Sequence, residues 1–272
     1  MRACLLAFLV LLVTSTTGCL DYREHLILKE DGSGSLQIDF LVDLGILNEI
    51  SKALGEKPDP AATQGPTKDE VLNGLEVEGV EVKEIEIKQR ETKSKVHLLI
   101  NFKSLEALNK IEGFGDDRRV DFYDNGDGQV RVVYSFDTRD QLPMEEFGDP
   151  GVPEDQMDPI EKKIVTLTKG ARDKIKFRSR VTLPGPIGKS TGIKDPREPK
   201  ENERVWLIDK ERDEKKHARL GKGKLRMQMI VAKSSVPWVK ELKPLPTRRS
   251  GPTPPPDKRR PGPPDKPGGL GD

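Results

Sequence analysis

The side chains with chemistry to offer are few. The chain has two cysteines, Cys4 and Cys19, both within its first 19 residues, and three histidines, His25, His97 and His217. Nothing after Cys19 can form an intrachain disulfide, and a cysteine-based zinc site is excluded. His25 and His97 fall at the outward parity of predicted strands, and His217 lies in the charged run "DKERDEKKHARLGKGK". None pairs with another at metal-ligand spacing, so all three read as solvent-exposed and no metal is assigned. Carboxylates are abundant but scattered, and no acid/base pair can be picked out. No G-x-S-x-G, S-x-x-K, H-E-x-x-H or phosphate-loop pattern occurs. "DDRRVDFYDNGDGQ" invites a calcium reading, yet counting from Asp121 puts Tyr123 where the third position needs an oxygen. It reads instead as a hairpin turn, as does "DGSG" at Asp31. No catalytic residue and no cofactor are assigned, and a non-enzymatic protein is expected.

Cys19 is the exception, because of what precedes it. Arg2 is the single charge before the apolar run "CLLAFLVLLV" from Cys4 to Val13, and "TSTTGC" follows. A charged start, a short apolar stretch and small residues describe a secretory signal. At about ten residues the run is too short for a bilayer span, which needs about 20. "TTGC" resembles the bacterial lipobox: Gly18 and Cys19 match, Thr17 fits, and Thr16 stands where that pattern has an aliphatic residue. The resemblance implies cleavage after Gly18, a diacylglycerol on Cys19, and a lipid-anchored protein on the extracytoplasmic face of a bacterial cell or outer membrane. Two or more acyl chains hold a protein at a bilayer where one is marginal. The other open reading is an ordinary secretory signal that leaves Cys19 as an unpaired thiol.

The remaining residues must build what this anchor would carry. Leu36, Ile38, Phe40 and Val42 alternate, and "DGSG" links them to a partner strand from Tyr22 to Lys29. "LGILNEISKALG" spaces Leu44, Leu47, Ile50 and Leu54 as a helix ending at Gly55. Thr67 and Glu70 form a capping-box pattern. In "VEVKEIEIKQRETKSKVHLLINF" the apolar parity switches between Val82 and Ile85, which predicts a bulge near Lys83–Glu84 before the return strand Val96–Phe102. Ser104 caps a short helix. A second hairpin is centred on Asn125–Gly126, with Val120, Phe122, Val130, Val132, Tyr134 and Phe136 inward. "IEKKIVTLTKGA" reads as a helix. Strands follow in "KIKFRSRVTLPG", "RVWLID" and "KLRMQMIVAKS". Met227 and Met229, with Trp206, are most simply core; they are also the candidate lining of an adaptable apolar pocket.

Hydrophobic residues make up 33% of the 272 and charged residues 34%, with a formal net charge of +1. That balance excludes a general nucleic-acid binder. The organisation is a signal peptide over 1–18 and a single α+β domain over 19–238, with an acidic, proline-broken insertion at 141–159. A basic, proline-rich tail over 239–272 cannot bury a core and is expected to be disordered. The expected fold is a twisted antiparallel sheet of about six to eight strands with helices packed on one face. The tail is a solvated spacer, or it contacts an anionic envelope polymer, lipid headgroups or a protein groove that accepts extended proline-rich chain.

The hairpin "HLILKEDGSGSLQIDFLVD" directly after Cys19, the strand ending in "RVTLPGPIGKSTG", and "ERVWLID" together resemble the LppM-type bacterial lipoprotein domain. The matching elements are the turn Leu183–Gly185, the polar-glycine element Ser190–Gly192, and Trp206. The resemblance implies an extracytoplasmic α+β domain that binds an envelope lipid or glycolipid, and it carries over no catalytic residue. The proline-rich tail departs from the family's pattern. The alternative function is a structural or assembly lipoprotein that holds a cell-wall or protein partner through domain and tail.

Overall fold

The computed structural model describes residues 21–57, 65–111, 118–137, 156–194, 200–218, 220 and 224–245. Ten strands form two sheets: β1 (Asp21–Leu28), β2 (Gly34–Asp43), β3 (Val80–Arg90), β4 (Lys93–Phe102), β5 (Arg118–Gly126), β6 (Gln129–Asp137), β7 (Lys176–Thr182), β8 (Ile187–Ser190), β9 (Glu203–Ile208) and β10 (Lys224–Ala232). The first sheet runs β3-β4-β2-β1-β7-β9 and the second β5-β6-β10-β8. Between these strands every pairing is antiparallel except β1 with β7, which is parallel and sets Tyr22 opposite Phe177 and Glu24 opposite Ser179.

This corrects the expected single antiparallel sheet. Both sheets carry alternating apolar residues, and the two inner faces close on each other as a sandwich. Leu26, Leu36, Ile100, Phe177 and Val181 of the first sheet share one core with Val130, Val132, Tyr134, Phe136 and Met229 of the second. The inward set predicted for the second hairpin is all buried. The second sheet covers the face that the helices were expected to cover. The helices α1 (Gly45–Ala53) and α4 (Pro159–Asp173) pack on each other instead, while α2 (Lys68–Asn73) and α3 (Leu105–Asn109) lie against strands, and α5 (Glu214–His217) is one turn. Among the described residues no helix is long and apolar enough to cross a membrane.

Local signals held where the chemistry is local. The β3–β4 register shifts between Val82 and Glu84, at the expected bulge. Thr67 and Glu70 close the reciprocal capping box of α2, and Ser104 accepts from the Ala107 amide at the start of α3. The β5–β6 turn sits two residues later than expected, on Asp127 and Gly128, both in the left-handed region, because Asp-Gly there outcompetes Asn-Gly as the turn pair. The last residues assigned to the acidic insertion start α4. Asp158 Oδ1 accepts from the Ile160 and Glu161 amides at 2.7 and 2.8 Å, Glu161 answers the Asp158 amide, and Pro159 occupies the first helical position. The signal peptide, Gly18 and Cys19, residues 141–155 of the insertion and 246–272 of the tail lie outside the described residues.

Candidate functional site

Two carboxylates are buried in the first sheet, one on each face. Glu24 stands at the inward parity of β1 between Tyr22 and Leu26, and its side chain is fully enclosed between the sheets. An isolated ionised carboxylate there would cost far more than folding supplies, so it must be matched by donors. Tyr22 Oη and Tyr134 Oη donate to Oε2 at 2.9 and 3.0 Å, and Ser179 Oγ donates to Oε1 at 2.6 Å. The Arg118 guanidinium approaches Oε2 at 3.5 Å, lying 5.1 Å from the Tyr22 ring centroid and 4.5 Å from that of Phe136. Tyr22 and Ser179 come from the first sheet; Tyr134 and Arg118 come from the second. Burial, with Glu24 beside them, pushes both phenols well above their ordinary range, so they remain donors. Burial works against the Arg118 charge, but the Glu24 carboxylate beside it outweighs burial, and the guanidinium stays protonated. Each carboxylate oxygen holds a donor, and two of the partners come from the opposite sheet, so Glu24 pins one sheet to the other.

Glu203 opens β9 on the outward face and is 1% exposed. Thr182 Oγ1 reaches its Oε2 at 3.3 Å, Arg180 lies 3.6 Å from Oε1, and His25 Nε2 lies 3.8 Å from Oε2. His25 Nε2 is also 2.9 Å from Thr182 Oγ1. Burial, then Arg180, Lys200 and Arg178, lowers the His25 pKa to about 4, so its ring is neutral. The Nε2–H tautomer satisfies both short contacts, with His25 donating to Thr182 and Thr182 to Glu203. Further along the same face, His97 Nδ1 is 2.7 Å from Asp39 Oδ1, and its Nε2 is 3.4 Å from Glu84 Oε2. The Asp39 hydrogen bond raises the His97 pKa. Among the described residues no group of three or more His, Cys, Asp or Glu side chains is placed to hold a metal.

The outward parity expected for His25 and His97 is observed, although both are half-buried. His217 is a correction: it is 3% exposed, at the end of α5, where its carbonyl accepts from the amide of buried Leu220. Trp206, Met227 and Met229 are all buried in the common core. They sit where the two sheets meet. β8 pairs with β10, and three residues past β8 Ile193 pairs with Val205 of β9, so residues 187–193 bridge both sheets. Thr191 is the joint: its Oγ1 accepts from the Trp206 indole at 3.1 Å and from the Gln228 amide at 3.0 Å. The Trp206 ring lies on Gly192, where a Cβ would come within 2.7 Å of it. Arg204 holds the other side, donating to the carbonyls of Glu201 and Glu203 at 3.1 and 2.6 Å and to that of Ile187. The Ser190–Gly192 element and Trp206 therefore pack as one unit. Glu24 was missed by the sequence reading, though one signal was available: a carboxylate on the apolar parity of "DYREHLIL".

No protein-family model matches the chain, and no curated protein does. Among solved structures, the NMR structure of the folded domain of the Mycobacterium tuberculosis LppM protein is similar at 12% sequence identity, with a TM-score of 0.41, over 79% of this chain and 90% of that one.

Proposed function

We propose that this chain is a membrane-anchored, extracytoplasmic binding module, non-enzymatic, whose ligand is an envelope lipid or another amphipathic molecule. The observation that carries the reading is the start of β1 at Asp21, two positions after Cys19. β1 is an inner strand of the six-stranded sheet, so an acyl group on Cys19 would attach almost directly to the rigid core. The enclosed, hydrogen-bonded Glu24 and the hydrogen-bond chain of His25, Thr182 and Glu203 support structural roles for these polar groups. In this proposal the apolar part of the ligand enters at the joint around Trp206, Met227 and Met229, by parting the contacts of Thr191 and Arg204.

The anchor and the ligand are tested separately. A Cys19→Ser variant is expected to move from the membrane fraction to the soluble fraction; membrane retention with unchanged mass refutes the anchor. Native mass spectrometry after mild extraction is expected to find a co-purifying lipid that is reduced by Trp206→Ala. An empty domain refutes the ligand. A scaffold reading has its own support, because the root of the tail is fixed: Lys243 pairs in parallel with Tyr123 of β5. An empty domain that captures a protein or cell-wall partner through residues 246–272 favours that reading.

A further inference from the structure

β5 is an edge strand, and it is the stretch from Val236 to Leu245 that covers it. The cover starts at the 3₁₀ turn Lys233–Ser235, after which Val236 is buried at 1% exposure. Trp238 meets Phe122 of β5 edge-on, with ring centroids 5.1 Å apart. On its other side lies the β1–β2 turn, where a Cβ on Gly32 would come within 2.9 Å of the indole. Val239 and Leu242 pack on the core. Lys243 then adds as a parallel strand: its amide donates to the Phe122 carbonyl at 3.0 Å, and its carbonyl accepts from the Asp124 amide at 2.9 Å. Its Nζ pairs with Asp121 Oδ1 at 2.6 Å. Both backbone groups of Lys243 face β5, so those of the next residue face away, and that residue is Pro244. Proline has no amide to offer there. The added strand bonds inward to β5 through Lys243, and at Pro244 it offers no donor on its outer edge.

We propose that residues 236–245 are a built-in edge cap that keeps β5 from pairing with β5 of a second copy of this chain. β5 already accepts an extended segment from its own chain, and its sequence "RVDFYDNG" alternates as a pairing strand does. Charge does not protect it as it does β3, the long outer strand of the other sheet, whose edge carries Glu81, Lys83, Glu84, Glu86 and Lys88 and a bulge. In β5 the outward charges Arg119 and Asp121 pair with each other, and Asp121 also pairs with the cap through Lys243.

Two substitutions in the full chain test this. Lys243→Pro removes the amide that bonds to Phe122. It is expected to lower the hydrogen-exchange protection of the Asp124 amide by about tenfold, the scale of one lost hydrogen bond, and to produce a concentration-dependent dimer by light scattering. Pro244→Val restores a donor on the outer edge with the cap still in place; it is expected to self-associate while Asp124 protection stays at the wild-type level. Unchanged Asp124 exchange in Lys243→Pro overturns the pairing. Faster exchange with both variants monomeric across the same concentration range overturns the protective role.

Discussion

Removing the Glu24 carboxylate strands four side chains at once, Tyr22, Tyr134, Ser179 and Arg118. In Glu24→Ala, three hydroxyls at 2.6 to 3.0 Å lose their acceptor and Arg118, nearly as buried, loses its counter-charge. Breaking a buried ion pair by removing one partner costs about 3–5 kcal/mol. The hydroxyls do not add in full, since each can turn towards another acceptor. A domain of this size loses about 2–4 °C of Tm per kcal/mol, so the melt is expected to fall by about 6–20 °C. Calorimetry and urea unfolding of the purified protein read this directly. The pairing hypothesis also makes a compensating prediction. Glu24→Leu combined with Arg118→Met removes both charges and fills the space with apolar atoms, a replacement that is often neutral or favourable. The double variant is expected to be about 2 kcal/mol more stable than Glu24→Ala, the remainder being the three hydroxyls left without their acceptor. A loss under 1 kcal/mol for Glu24→Ala, or a double variant as unstable as the two single ones summed, refutes the view of Glu24 as the pin between sheets.

The two outward histidines are expected to titrate in opposite directions. His25 is lowered from 6.5 to about 4, so as pH falls the unfolded chain takes up the proton first; the stability it contributes is complete above pH 6.5 and is lost as pH falls towards 4. His97 is raised, so its contribution is complete below its ordinary pKa and is lost as pH rises through the raised value. Ring-proton NMR titration checks both, and a His25 midpoint near 6.5 refutes the burial argument. Gly192→Ala is expected to cost about 1–3 kcal/mol by overpacking and to shift the Trp206 indole N–H resonance, because the new methyl pushes the ring off Thr191; an unshifted resonance counts against that contact.

Where a signal is short-range, the sequence carried it: the Thr67 and Ser104 caps, the β3 bulge, and the inward parity of Val120, Phe122, Val130, Val132, Tyr134 and Phe136. The partition into two sheets had no such signal. A strand with one apolar face is satisfied equally by a helical layer or by another sheet, and nothing within β1 or β7 announces that they pair in parallel across about 150 residues of chain. The Glu24 cluster was hidden for the same reason. Its donors come from β1, β5, β6 and β7, and only the tertiary register makes Tyr134, Ser179 and Arg118 neighbours of one carboxylate. The Thr191 joint likewise depends on a strand, β8, too short for its periodicity to stand out.

The direction of β1 also separates Asp21 from Lys243 in space. It runs from Asp21, next to the proposed anchor, to the turn at Gly32, and its eight residues span about 26 Å at strand rise. Trp238 packs at that far turn, and from there the chain continues alongside β5 to Lys243. The root of the tail at Lys243 is therefore distal to Asp21, the described residue nearest in sequence to the proposed anchor. A basic tail rooted beside the anchor would lie on the anchoring bilayer, since headgroup attraction decays within about 10 Å. A tail rooted at the distal end meets a partner beyond the membrane first. With the lipidated protein in vesicles that contain an acceptor-labelled lipid, a donor dye on Ser250→Cys is expected to transfer less energy than one on Arg90→Cys, at the β3–β4 tip on the anchor side. Equal transfer from the two positions would bring the tail back to the anchoring membrane and favour headgroup contact over a distant partner.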